Sequence, residues 1–251
     1  MNYQERLEKF KELCKANKTT KEIIETMNVD RKTINNYERK LGIKCKKDRK
    51  APKLNKDFFK VIDDEYKAYI LGFIYADGYI ESNERTLTFN INKKDIDILN
   101  KIKLYTECEN EIKKSSTKNC IRLHLCSKEL VEDLKVLGVV RNKTNKISFP
   151  EIDFTLMRHF LRGYFDGDGH VGKRQCALVI GSEKMLCDFI RFIKEFFDKD
   201  LYYQKINNYY RVQFNRRDYK IINWLYNNSN IYLDRKYKSF QDNWLNYEPK
   251  G

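Results

Sequence analysis

Two short segments, ILGFIYADG (70–78) and LRGYFDGDG (161–169), sit 91 residues apart and constrain the fold more than any other feature of the chain. Each is an apolar run ending in Asp-Gly, and each reads as a helix stopped at its glycine. Positions four apart share a helix face. Ala68, Gly72 and Ala76 make such a stripe in the first copy, and Gly163 and Gly167 do so in the second. Stripes of small residues let two helix backbones approach closely, a consequence of sterics alone. Packed stripe to stripe, the two helices bring Asp77 and Asp168 to the same place.

Negative charge at a helix C-terminus opposes the helix dipole, and two carboxylates placed together repel. One Asp-Gly alone is no more than a helix end. Two in register, each with its small-residue stripe, predict a divalent cation between the acids. Hard oxygen donors with room for water suit Mg²⁺, and acids sharing metals suit in-line phosphodiester cleavage. The charge balance agrees: 50 Lys+Arg stand against 36 Asp+Glu, a net charge of +14. That points to a polyanion, nucleic acid before an anionic membrane.

Other classes drop out. A hydrophobic share of 41% suffices for a core, so wholesale disorder is not expected. No run approaches the ~18 apolar residues of a membrane span. The N-terminus MNYQERLEKFKELCKANK is charged throughout and has no signal-peptide core, so an intracellular, DNA-associated protein without a membrane partner is expected. Seven cysteines without a C-x-x-C pair read as reduced thiols. Three histidines, His124, His159 and His170, lie at no metal-motif spacing, which disfavours zinc or histidine-based hydrolysis.

Each Asp-Gly helix opens a repeat. Alternating strands come next at TLTFNIN (86–92) and CALVIGS (176–182), then amphipathic helices at 95–105 and 183–197. A further strand (around 109–114; 201–206), another (121–127; 210–216), a helix (128–137; 217–226) and a Lys-bearing loop complete each copy. The expected class is therefore α+β, with the order α-β-β-α-β-β-α twice, over residues 57–150 and 151–247. Residues 44–56, KCKKDRKAPKLNK, carry seven basic residues and one acidic one and read as a basic linker along DNA. Residues 1–43 read as a separate small helical domain. Thr19 or Thr20 caps a short helix, a turn spans Met27–Val29, and Asp30 caps a second helix with Ile34 and Leu41 inward. That is helix-turn-helix spacing. Arg31, Lys32, Asn35, Asn36 and Arg39 lie outward, residue types suited to phosphates and base edges.

Segments 70–78 and 161–169 resemble the signature helices of the LAGLIDADG homing endonucleases in their single-chain, two-repeat form, and the resemblance extends over roughly residues 57–245. It implies a monomer with internal pseudo-twofold symmetry, each half a curved antiparallel sheet forming one side of a saddle on double-stranded DNA. It implies Asp77 and Asp168 as metal-binding acids, with the carbonyls of Ala76 and Gly167 as further ligands. It also implies one basic residue per half, matched by Lys143 and Lys236 in the terminal loops, and a staggered double-strand cut with 3′ overhangs, as in intron homing. Two departures stand out: Tyr75 replaces the inner acid present as Asp166 in the second motif, and Arg162 stands at a small-residue position, to repack or to face solvent.

The polar strand faces are then expected to read the major groove: Thr88, Asn90 and Asn92 on one strand, Arg122 and His124 on a second, and Arg211, Gln213 and Asn215 on the equivalent of the second. Bidentate Arg–guanine and Asn/Gln–adenine pairs discriminate by about 1–3 kcal/mol each. Because the halves differ in sequence, the target is expected to be long and loosely palindromic. Two other functions fit the same fold. One is a maturase binding intron RNA. The other is a transcription regulator on a relic nuclease fold, which would be expected to have lost one or both metal acids. An intein-embedded enzyme is not expected, since the chain starts with Met, ends YEPKG and lacks a Cys/Ser start and a terminal His-Asn.

Overall fold

The structure is a computed structural model that describes residues 2–47, 52–141 and 146–245. The chain divides into two units, residues 1–51 and 52–251.

The first unit holds three helices, α1 (Tyr3–Lys15), α2 (Thr20–Met27) and α3 (Arg31–Leu41). Local capping sets each start. The Asn2 side chain accepts from the Glu5 amide while Glu5 accepts in return from the Asn2 amide, both at 2.9 Å. Thr19, not Thr20, caps α2, with Glu22 as its reciprocal partner. Asp30 caps α3 through the Thr33 amide at 2.7 Å. Asn28 takes the left-handed conformation (φ 49°) that ends α2, a position asparagine tolerates. Leu7, Phe10, Ile23, Ile34, Tyr37 and Cys45 form the core, with Leu41 packed against it. The start of the expected linker therefore belongs to this unit: Cys45 is buried, and the Thr20 amide donates to the Lys46 carbonyl at 2.7 Å.

The second unit contains both repeats. The first runs α4 (Glu65–Asp77), β1 (Gly78–Ile80), β2 (Thr86–Asn92), α5 (Ile96–Tyr105), β3 (Lys113–Lys114), β4 (Cys120–Cys126) and α6 (Lys128–Val136). The second runs α7 (Met157–Asp168), β5 (Gly169–Val171), β6 (Cys176–Ile180), α8 (Glu183–Phe197), β7 (Tyr202–Ile206), β8 (Tyr209–Phe214), α9 (Tyr219–Tyr226) and α10 (Asp234–Asn243). Each repeat makes an antiparallel four-stranded sheet, in the orders β1-β2-β4-β3 and β5-β6-β8-β7. Alternation fixes the register: Leu87, Phe89 and Ile91 face Leu125, Leu123 and Ile121 across β2–β4 and are buried. This is the α+β, twice-repeated architecture expected from the sequence, with one correction. The second Lys-bearing loop is the helix α10.

The repeats interlock. Ser182 Oγ donates to the Ile147 carbonyl at 2.6 Å and the Phe149 amide to Asp188 Oδ2 at 3.1 Å, seating the end of the first repeat on the second. In return Lys101 reaches the Tyr232 carbonyl at 2.7 Å, and Arg235 grips Asp95 with bonds of 2.6 and 3.1 Å. Residues from Pro52 onward are also tied down. Amide–carbonyl and amide–carboxylate bonds join Lys53 to Glu109, the Asn55 amide donates to the Thr106 carbonyl, and the Lys53 amine pairs with Glu107. That end of the expected linker lies on the sheet edge. Asp48–Ala51 fall outside the described residues.

At the N-terminal ends of α4 and α7, Arg162 is fully buried. It donates to the carbonyls of Ile231 (2.9 Å) and Leu225 (3.1 Å), lies over the Tyr69 ring, and faces His159 Nδ1 at 3.0 Å. Of the two alternatives for this residue, it packs. Since guanidinium only donates, His159 Nδ1 accepts and the imidazole is neutral. Burial, then Arg162 and Arg158, push its pKa down to about 4, despite Glu65 at 3.5 Å. Between pH 6.5 and 4 the unfolded chain therefore binds a proton that the native chain does not. Stability is expected to fall through that window by on the order of 2–3 kcal/mol. Urea midpoints at pH 7 and pH 4 measure this, and His159→Gln, which keeps an acceptor without titrating, should flatten the dependence.

Candidate nuclease site and nucleic-acid surface

The site is built where α4 and α7 cross. Asp64 caps α4 through the Lys67 amide at 2.8 Å, and the helix is apolar on all sides because it is buried between elements of both repeats. A Cβ on Gly72 would lie 1.9 Å from the Phe160 carbonyl oxygen, and one on Gly163 would lie 1.9 Å from that of Tyr69. The helix backbones touch at the two glycines. Further along, a Cβ on Gly167 would lie 2.2 Å from the Ala76 methyl and 3.4 Å from Asp77 Oδ2. The small stripes thus face each other and carry Asp77 next to Gly167, the residue preceding Asp168. Both acids are half-buried, as are Ala76 and Gly167. The terminating glycines do not adopt the left-handed conformation usual for helix caps. Gly78 (φ −82°) and Gly169 (φ −98°) are extended and begin β1 and β5. Gly169 is needed for close approach instead, since its Cβ would sit 2.4 Å from the Phe165 carbonyl oxygen.

Lys236 is in this site, on α10 rather than in a loop, and is 3% exposed. Its Nζ donates to the carbonyls of Phe165 (2.9 Å), Asp166 (2.6 Å), Gly167 (3.4 Å) and Gly169 (2.5 Å). It caps the C-terminus of α7 with a positive charge, the sign the helix dipole favours there. Burial lowers its pKa to about 8, while the charges of Asp166, Asp77 and Asp168 act in the opposite sense. One amine therefore feels both acids. Lys143 lies outside the described residues.

The donor set fits a hard divalent cation: two carboxylates and adjacent backbone carbonyls, with positions left for water and phosphate oxygen. Among the described residues no cluster of three or more His, Cys, Asp or Glu could hold a metal on its own, so a cation here would rely on those carbonyls and on external oxygens.

Asp166 stands apart from this chemistry. It is buried and accepts from Tyr69 Oη (2.6 Å), Tyr226 Oη (2.5 Å) and the Leu233 amide (2.7 Å). Tyr75, its counterpart, donates to the Leu137 carbonyl at 2.5 Å. The bulky phenol occupies the acid's place because its partner is a carbonyl, and a carboxylate could not donate to it.

The sheet faces opposite the core hold most of the expected reading residues. Asn90 pairs across strands with Arg122, and Thr88 with His124. Arg122 and His124 are half-exposed, as are Arg211 and Gln213. Thr88 is not available, being fully buried with its hydroxyl donating to Glu81 at 2.7 Å and lying 2.8 Å from His124 Nδ1. Asn92 ends β2 and caps the short 3-10 turn Lys93–Asp95. Asn215 lies beyond β8 and caps the turn Arg216–Asp218. The edge strands add residues the sequence reading missed: Lys113 lies opposite Arg122, Gln204 opposite Arg211, and Tyr202 opposite Gln213. The sequence places strands around both segments, but YYQKI is largely polar and β3 only two residues long, so neither shows which side chains face outward. In the first unit Arg31, Lys32, Asn35, Asn36 and Arg39 are all exposed on α3.

Two sheets joined by a glycine-packed helix pair with an acid at each helix end define a two-repeat LAGLIDADG fold. Residues 155–222 match the family of LAGLIDADG-like domains. That match lies within the second repeat and makes this part of the chain similar to the LAGLIDADG-like domains. Among solved structures, the LAGLIDADG meganuclease I-AabMI bound to uncleaved DNA aligns with a TM-score of 0.50 at 14% identity, covering 72% of this chain and 88% of that one. Full-length DUF199/WhiA from Thermatoga maritima also aligns with a TM-score of 0.50, at 18% identity, covering 75% and 64%. Identities this low establish a common fold. In sequence, 140 residues are 27% identical to a replication factor C small subunit of Methanocaldococcus jannaschii, covering 53% of this chain and 7% of that protein. Another from Thermococcus kodakarensis is 24% identical over 130 residues, covering 50% and 15%. The chain thus spans only a small part of these curated relatives. No helix among the described residues is long and apolar enough to cross a membrane.

Proposed function

We propose that the protein is a site-specific homing endonuclease that makes a metal-dependent, staggered double-strand cut in a long, pseudo-palindromic DNA target. The observation that carries this is that the two helices in glycine contact bring Asp77 against Gly167, the residue before Asp168, so that an acid ends each helix where the dipole and a neighbouring like charge both disfavour it. A bound divalent cation gives such a pair a physical reason, beyond the single buried amine of Lys236. Bound Mg²⁺ would supply Lewis acidity toward a phosphodiester and its attacking water. The chain's own residues do the rest. Asp77 and Asp168, with the Ala76 and Gly167 carbonyls, hold the cation, and Lys236 adds fixed positive charge beside the reacting phosphate. Asn90, Arg122, His124, Arg211 and Gln213 contact base edges, with Asn92 and Asn215 at the strand ends. Lys143 is the proposed basic residue of the first half. The exposed face of α3 extends contact to a flank, and the working form is a monomer.

A second reading is a DNA-binding regulator that retains the fold without cutting. One observation favours it: the Lys236 amine is enclosed by four main-chain carbonyls. Incubating the protein and Mg²⁺ with a randomised duplex library and sequencing the ends separates the two. Ends with 3′ overhangs at one long asymmetric sequence, abolished by chelation, are expected. Enrichment of bound but intact duplex would establish the regulator instead, and preference for intron RNA over any duplex would establish a maturase.

A further inference from the structure

Asp166 accepts three hydrogen bonds, from Tyr69, Tyr226 and Leu233, all from buried groups of the protein itself. Tyr69 belongs to the first signature helix, α4. Tyr226 is the last residue of α9, and Leu233 is the residue at which α10 starts. The Lys236 amide donates to the Leu233 carbonyl at 3.0 Å in the first turn of α10. One buried carboxylate therefore fixes the residue from which the helix bearing Lys236 is launched. In the first repeat Tyr75 meets the corresponding point, the end of α6, through the single bond to Leu137.

We propose that Asp166 is the positioning residue for Lys236, holding its amine at the acid pair through Leu233, so that the second half's centre is separable from that of the first. The inference rests on the nuclease reading and assigns Asp166 no contact with metal or substrate. Its chemistry distinguishes two substitutions. In Asp166→Asn the amide oxygen can still accept from Tyr69 and Leu233, while the NH₂ group faces a Tyr226 hydroxyl free to rotate and accept. In Asp166→Ala the Leu233 amide and two buried hydroxyls lose their acceptor, and α10 loses its anchor.

The test uses the full chain, Mg²⁺ and two substrates carrying the target recovered from the library: a supercoiled plasmid for nicking, and a linear duplex with each strand end-labelled. Asp166→Ala is expected to slow cutting of one strand by about 30-fold or more, as a displaced group can, and nicked circles accumulate. The other strand and the affinity for target stay within about 3-fold, and Asp166→Asn recovers the slowed strand to within about 5-fold. Equal slowing of both strands, or equal defects in Ala and Asn, would overturn the proposal. Should Asp166→Ala not fold, Tyr226→Phe removes a single donor and is expected to slow the same strand by about 3-fold, and no strand bias there would equally overturn it. Amide exchange over 233–237 needs no cleavage: it is expected to quicken in Ala and not in Asn. A wild type that cuts nothing defeats the nuclease reading, while the exchange result still decides the tether.

Discussion

Gly163→Ala is expected to abolish cooperative folding of residues 52–251. The added methyl would lie 1.9 Å from the Tyr69 carbonyl oxygen and 2.9 Å from the Phe73 nitrogen. These are backbone atoms of α4, so no rotamer change relieves the overlap and the helices must separate by more than an ångström. Separation unpacks Gly72 from Phe160 and Gly167 from Ala76 at the same time. It also strains the Tyr69–Asp166 bond. A loss above about 4 kcal/mol is expected, comparable with the whole stability of a domain. Thermal melts followed by circular dichroism would lose their main transition, whereas Gly42→Ala is the control. Gly42 has φ +64° with open space around it, so alanine there should cost only about 1 kcal/mol of backbone strain. A Gly163→Ala protein melting within a few degrees of wild type would mean the helices do not meet as described.

That contact was legible in the sequence because a helix has one period, and small residues four apart can share only one face. The same holds for β2 and β4, where strict alternation leaves no second register. Legibility failed where partners come from far along the chain. Lys236 looked like a loop lysine because its neighbours Asp234, Arg235 and Lys238 are polar; what makes the segment a helix is docking on β5 and on Asp95, which no local pattern shows. Thr88 looked solvent-facing by alternation, yet Glu81 and His124 close over it. Arg162 broke the small-residue pattern with only His159 as a local partner, since the carbonyls it binds at Leu225 and Ile231 are more than sixty residues away. Helix α1 was missed although Asn2 and Glu5 form a capping box and Leu7 and Phe10 share a face. Its signal was present, but its density of charge masked it.

Asp77→Asn and Asp168→Asn are each expected to reduce double-strand cleavage about 100-fold or more, the scale of losing a metal's contribution to charge stabilisation. Duplex affinity should stay close to wild type, because the basic surfaces elsewhere on the chain provide most of it. The same substitutions are not expected to destabilise the fold. Each removes one of two like charges and relieves an unfavourable placement at a helix C-terminus, an effect of about 0.3–1 kcal/mol. The loss of a counter-charge from buried Lys236 offsets part of that gain. Melting temperature should therefore hold or rise while activity falls, whereas damage to a packed helix pair would lower both. Mg²⁺ supplies the remaining contrast: a ligand of the native state raises the melting temperature by mass action, so the cation should stabilise wild type and lose that effect in either variant. If both variants cut undiminished, the acids are helix ends and nothing more. If both lose cutting and also melt early, the pair is part of the packing and the site must be sought elsewhere.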